Sequence, residues 1–282
     1  MSQPPDTVTA SEASLAVGVP ADERRPRDWR SPVRDTFSIT WRNLIGIRRV
    51  PQLMVFTLIQ PVIFVLLFTY VFGGAIKGLP PHVTYVDYLI PGVFVQTAVF
   101  GSIITAVGMA TDLKSGIIER FRSLPMSPSA VLVGRSMSDL TRNVFVVILM
   151  AIVGFLVGFR YGSGLGKFLL GMLLVLAFGY AMSWIFAMVG IAVGDPETAQ
   201  AAAFPVLAPL VFASSVFVPV STMPGWLQAF AEHQPVSLTA SAARQLMIGI
   251  PAGNDLLWSI VWIVGIIAVC APLAVWLYRR SV

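Results

Sequence analysis

The sequence predicts an all-α integral membrane protein with six transmembrane helices, an N-terminal interfacial helix and an external re-entrant helix pair before the last span. Three observations carry that prediction. Hydrophobic residues make up 56% of the chain and charged residues only 12%, at a mean hydropathy of +0.79; a soluble domain carries about 25% charged residues. Six long apolar runs recur, most of them near the roughly 20 residues that a helix needs to cross hydrocarbon. Threaded alternately through a bilayer, they leave fifteen of the 19 Lys and Arg residues on the side that holds both termini, the asymmetry expected of cytosolic segments.

The elements follow in order. Residues 1–35 are rich in Pro, Ala, Ser and Asp and show no apolar period, so they read as a disordered cytosolic tail. They contain no apolar segment of the signal-peptide kind. In residues 36–50, Phe37, Trp41, Leu44 and Ile45 share one helical stripe while Arg42 and Arg49 lie off it. That pattern fits an amphipathic helix in the membrane interface, or a plain extension of the first span. The six spans are expected at about 53–72, 88–110, 139–159, 168–193, 199–220 and 256–278. The third has its apolar centre at Val144–Phe159, and Asp139–Asn143 are expected at the interface. No Asp, Glu, Lys or Arg falls in any apolar centre. The fifth run carries Pro205, Pro209 and Pro219, each of which favours a kink or a break. Residues 221–255 are too long for a turn and too apolar for a plain loop. Trp226, Leu227 and Phe230 share one helical face, Leu238, Ala242 and Leu246 another, and Pro235 divides them. Two short helices on or in the outer leaflet fit, as does an external loop folded on the bundle.

The residues expected for catalysis are missing. The two histidines, His82 and His233, sit in predicted external loops, and neither HExxH nor GxSxG occurs. His233 lies four residues before Ser237 but has no acid at hand, so it reads as a polar interface residue. "GSGLGKF" from Gly162 has three residues between its glycines and Phe168 after Lys167, and thus departs from a phosphate loop. The single cysteine, Cys270, lies in an apolar run. No catalytic, cofactor-binding or metal-ligating set is expected. The net charge of +5 follows the topology rule and lipid headgroups, with no nucleic-acid partner.

One cytosolic stretch stands out, "GIIERFRSLPMSPSAVLVGR" from Gly116. Ile117, Phe121 and Leu124 fall three or four apart on one face, with Glu119, Arg120 and Arg122 elsewhere, and Pro125 and Pro128 end the helix. By pattern alone this is either an amphipathic helix for a groove on a soluble partner or an interfacial positive-inside loop.

That stretch, followed by Asp139 and Leu140, resembles the signature region of ABC-2 type transporter permeases, especially the daunorubicin-resistance (DrrB-like) branch. "LIQPVIFVLLFTYVFGG" from Leu58, "YLIPGVFVQ" from Tyr88 and "HQPVSLTASAARQLMIG" from His233 resemble other parts of the same family, so the likeness spans roughly residues 36–280. Pro128 departs from it, where relatives often carry a basic residue. The resemblance implies that Ile117, Glu119, Arg120, Phe121, Arg122 and Leu124 form the coupling-helix contacts to a separate ABC ATP-binding subunit, present in two copies. It implies an elbow helix around Phe37, Trp41 and Arg42, and an external re-entrant segment with Trp226, His233 and Pro235. A second permease subunit, identical or related, would complete the assembly in a bacterial cytoplasmic (inner) membrane, multi-pass with cytosolic termini. ATP hydrolysis would reside on the partner, so the chain itself would not be an enzyme. The expected cargo is hydrophobic or amphipathic, drug-like or lipid-like, and export is implied by the family alone. An alternative is polysaccharide or glycolipid export; another, of a different class, is a non-transport membrane scaffold or intramembrane enzyme.

Overall fold

The computed structural model describes residues 51–76, 78–115, 128–251 and 253–280. Every regular element among the described residues is helical. Helix α1, Pro51–Leu66, runs on into a six-residue π-helix, Leu67–Phe72. Then follow α2, Tyr85–Lys114, α3, Pro128–Val157, α4, Leu165–Val193, and α5, Pro196–Phe212. Two short helices, α6, Gly225–His233, and α7, Pro235–Ile248, precede α8, Asp255–Arg280. Among the described residues, four segments are long and apolar enough to cross a membrane: Tyr85–Lys114, Ser136–Val157, Leu165–Val193 and Asp255–Tyr278. They correspond to the second, third, fourth and sixth predicted runs.

Helix α2 is the axis of the molecule. It packs against α1, α3, α4, α5 and α7, and Leu89, Ile90, Val93, Phe94 and Val99 are fully buried. Its start is fixed locally. The Thr84 side chain accepts from the Asp87 backbone N–H, and its hydroxyl donates to the Asp87 carboxylate at 2.6 Å. The other Asp87 oxygen accepts from the Arg160 backbone N–H at 2.9 Å, which ties the entry of α2 to the α3–α4 connection. Between lipid-embedded helices, close approach of backbones replaces the hydrophobic drive available in water. Gly190 of α4 supplies it here, because a Cβ there would collide with the Ala106 carbonyl of α2.

Helix α8 packs on α4 and α7 but has a large outer face. Leu257, Trp258, Trp262, Val264, Val269 and Trp276 are all exposed there, as befits a helix that faces lipid.

Two sequence expectations need correction. The fifth run does not continue to residue 220: α5 ends at Phe212, and a non-helical stretch precedes a single 3-10 turn at Val220–Thr222. Pro205 and Pro209 lie inside α5 and each withdraws a backbone donor. The Ser214 hydroxyl then bonds back to the Val211 carbonyl, competing with the next helical turn. The third helix likewise begins at Pro128, well before residue 139. Proline suits a first helical position, where its missing N–H has no partner to lose. In consequence Asp139, Arg142 and Asn143 lie inside α3 and are buried against the bundle.

Candidate functional site

The predicted contact residues Ile117, Glu119, Arg120, Phe121, Arg122 and Leu124 lie outside the described residues, as do Phe37, Trp41 and Arg42. What the structure gives is the frame around residues 116–127, and polar groups that the sequence reading had not brought together.

At the end of the bundle where α2 stops, Lys114 Nζ meets Asp195 Oδ1 at 2.6 Å. Asp195 also caps α5, its other oxygen accepting from the Thr198 N–H and hydroxyl at 3.0 Å each. The Lys114 ammonium, with help from Thr198, lowers the Asp195 pKa to about 2, so the carboxylate stays charged across the physiological range. The pair is solvent-exposed and therefore weak in energy. Its interest is its place: it joins the last turn of α2, immediately before residues 116–127, to the first turn of α5.

Deeper in the bundle, α3 presents an ion pair to α2. Arg142 Nη1 lies 3.0 Å from Asp139 Oδ1. The Thr105 hydroxyl donates to Asp139 Oδ2 at 2.6 Å, and Arg142 Nη2 donates to the Gly101 carbonyl at 2.9 Å. Asp139 is 4% and Arg142 7% exposed. Counted from Lys114 at 1.5 Å per residue, Gly101 lies roughly 20 Å down α2, near the middle of the helix.

The opposite end holds a polar knot. Past the end of α5, the carbonyls of residues 213–217 have lost their helical partners, and in a membrane each needs another donor. Gln234 Nε2 donates to the Ala213 carbonyl at 2.7 Å, and the Tyr88 and Tyr85 hydroxyls donate to those of Ser215 and Phe217 at 3.1 and 3.0 Å. Arg244 of α7 supplies the rest. Its Nη2 donates to the Ser215 and Val216 carbonyls at 2.7 and 3.0 Å, its Nε to the Tyr88 carbonyl at 2.8 Å. The guanidinium also lies 3.6 Å from the centre of the Tyr88 ring. Arg244 is only 3% exposed, and no carboxylate forms an ion pair with it among the described residues. One cation therefore ties α2, α7 and the broken end of α5 together.

Gly92 makes room for this arrangement: a Cβ there would strike the Val216 carbonyl and come 2.9 Å from Arg244 Nη2. Gly92→Ala is expected to destabilise the protein by about 1–3 kcal/mol through overpacking. Thermal unfolding in detergent measures this, and an unchanged midpoint would show slack in the knot.

Of the described site residues from the sequence, Pro235 is the first residue of α7, the break expected between the two short helices. Trp226 is 76% exposed on α6. His233 Nδ1 lies 3.0 Å from the Ala229 carbonyl of its own helix. Ser237 Oγ accepts from the Ser215 N–H at 3.0 Å, so its hydroxyl belongs to the knot. A phenylalanine stack joins α1 to this region: Phe68 lies 4.3 Å from Phe217 between ring centres, and Phe64 5.7 Å from it.

Sequence reasoning did not identify the contacts of Arg244, Asp139 or Arg142. The signal available was local: Arg244 is the only Lys or Arg between the proline-bearing fifth run and the last span, and Asp139 and Arg142 stand three apart at the start of another apolar run.

Comparison with known proteins bears on what this frame serves. The profile of the ABC-2 type transporter family matches residues 34–248. The daunorubicin resistance ABC transporter permease protein DrrB1 of Streptomyces coeruleorubidus is 35% identical over 98% of this chain and 96% of its own. The probable doxorubicin resistance ABC transporter permease protein DrrC of Mycobacterium tuberculosis is 27% identical over 98% of both chains. The doxorubicin resistance permease DrrB of the same organism is 29% identical over 62% of this chain and 60% of its own. By family match and by full-length similarity, the chain belongs to the ABC-2 type transporter family.

Proposed function

We propose that the chain is the transmembrane permease subunit of an ATP-driven exporter that moves hydrophobic or amphipathic, drug-like or lipid-like molecules out of the cytoplasm or inner leaflet. The observation that carries this reading is its 35% identity to a daunorubicin resistance permease along nearly the whole of both chains. In this reading α1 with its π turn and α5 cross the bilayer beside the four long helices, giving six spans in a bacterial inner membrane. Both termini and residues 116–127 face the cytosol, residues 1–35 form a tail, and residues 36–282 form the transmembrane domain.

The working parts follow. Ile117, Phe121 and Leu124 dock on a separate ATP-binding subunit, with Glu119, Arg120 and Arg122 as polar contacts. Phe37, Trp41 and Arg42 flank the same partner as an elbow helix. Two permease chains and two ATPase chains assemble, and ATP is hydrolysed on the latter. Closure of the ATPases pushes on residues 116–127. Lys114 and Asp195 carry that push from α2 into α5. The far end of α5 is the unwound stretch held by Arg244, so the motion reaches α6 and α7, the external pair with Trp226, His233 and Pro235 that caps the exit.

Purification from bacterial membranes in mild detergent tests the assembly. The chain is expected to co-purify with a soluble ATPase whose hydrolysis rises when daunorubicin is added. Recovery alone, with no nucleotide-binding partner, would overturn the reading.

A further inference from the structure

We propose that Asp139 and Arg142 are positioning residues for energy transmission: they bolt α3 to α2 so that the two helices flanking residues 116–127 move as one body. The inference rests on the reading that an ATPase pushes on that segment, and it goes beyond it by naming what keeps the push from dissipating.

The geometry is a two-point attachment. Thr105 and Gly101 lie four residues apart on α2, one helical turn, and therefore on one face. Asp139 and Arg142 lie three apart on α3, again one face. The Thr105 hydroxyl reaches Asp139 at 2.6 Å, and Arg142 reaches the Gly101 carbonyl at 2.9 Å. The 3.0 Å pair between Asp139 and Arg142 closes the circuit. One cross-helix bond would leave a pivot, whereas two bonds a turn apart resist both rotation and sliding. Sliding of packed helices past each other is how small forces are ordinarily absorbed. Burial adds strength, because hydrogen bonds among charged groups gain in a low-dielectric surrounding.

Stability alone does not call for such a device. A buried ion pair replaced by apolar groups of similar volume is often neutral or stabilising, whereas removal of one partner is costly. That contrast separates a structural role from a transmitting one. Asp139→Leu combined with Arg142→Met keeps the volume and removes both bolts. Thr105→Val removes one bolt and leaves the ion pair intact, and Thr105→Ser retains it.

The measurement is daunorubicin export per ATP hydrolysed, by the complex of this chain with its ATPase in vesicles. The double variant is expected to assemble with the ATPase and hydrolyse ATP at the wild-type rate, with export per ATP down about fivefold or more. Thr105→Val should show a smaller drop in the same ratio, and Thr105→Ser should restore it. Wild-type export per ATP in the double variant would overturn the inference. Should the double variant fail to assemble, Thr105→Val decides: a wild-type ratio there overturns the inference equally. Failure of the parent reading looks different. The unmutated chain would then show no ATP-driven export, and the inference would fall with it.

Discussion

Arg244→Met is expected to yield a protein that inserts into the membrane but unfolds far below the wild type, with Arg244→Lys between the two. The reason is donor supply. Methionine fills a similar volume but leaves the Val216 carbonyl without its donor, and removes one donor each from the Ser215 and Tyr88 carbonyls. A buried backbone group left unsatisfied costs about 1–3 kcal/mol, more than an average hydrogen bond contributes. Lysine restores a charge but not the planar fork that serves several carbonyls at once, nor the flat stacking on Tyr88. Size-exclusion chromatography after graded heating in detergent reads the order directly. A methionine variant as heat-resistant as the wild type would mean that water or lipid headgroups serve these carbonyls instead.

The second large effect concerns the segment that the ATPase is proposed to grip. Phe121→Ala and, separately, Arg122→Glu are expected to abolish export in vesicles while leaving membrane insertion unchanged. An aromatic anchor seated in a partner's pocket contributes about 2 kcal/mol or more to docking, and reversal of a contacting charge replaces attraction with repulsion. ATPase binding should therefore weaken in both variants, as read by retention of the soluble subunit on the immobilised permease. Normal retention and export in both would show that residues 116–127 are a charged loop with no docking role.

The sequence made the long helices legible because length and hydropathy are local properties. α2, α4 and α8 could be read from apolar runs, and Pro235 marked the break between α6 and α7. Less legible was anything that depends on partners distant in the chain. The end of α5 is set partly by its prolines, which were visible, and partly by donors from Tyr85, Tyr88, Gln234 and Arg244, which only the fold brings together. The pairing of the α3 charges was illegible for a related reason. A hydropathy average treats Asp139 and Arg142 as two penalties, although paired they can sit beside Gly101 in mid-helix. Of the candidate site, Trp226, His233 and Pro235 lie on two short helices, while the contact residues of 116–127 rest on pattern and family likeness.

The outer face of α8 has a consequence of its own. Trp258 and Trp276 are both exposed on it, and their separation along the helix is about 27 Å at 1.5 Å per residue. Arg280 lies just beyond, its guanidinium 4.5 Å from the centre of the Trp276 ring. Indole rings favour the boundary between acyl chains and headgroups, so in the proposed topology these two would mark the depth at which the protein rides. Lipids with markedly shorter or longer tails must then tip the helix or strain the surrounding leaflets. In that topology, the fatty-acid make-up of the surrounding membrane becomes one of the conditions of the protein's stability.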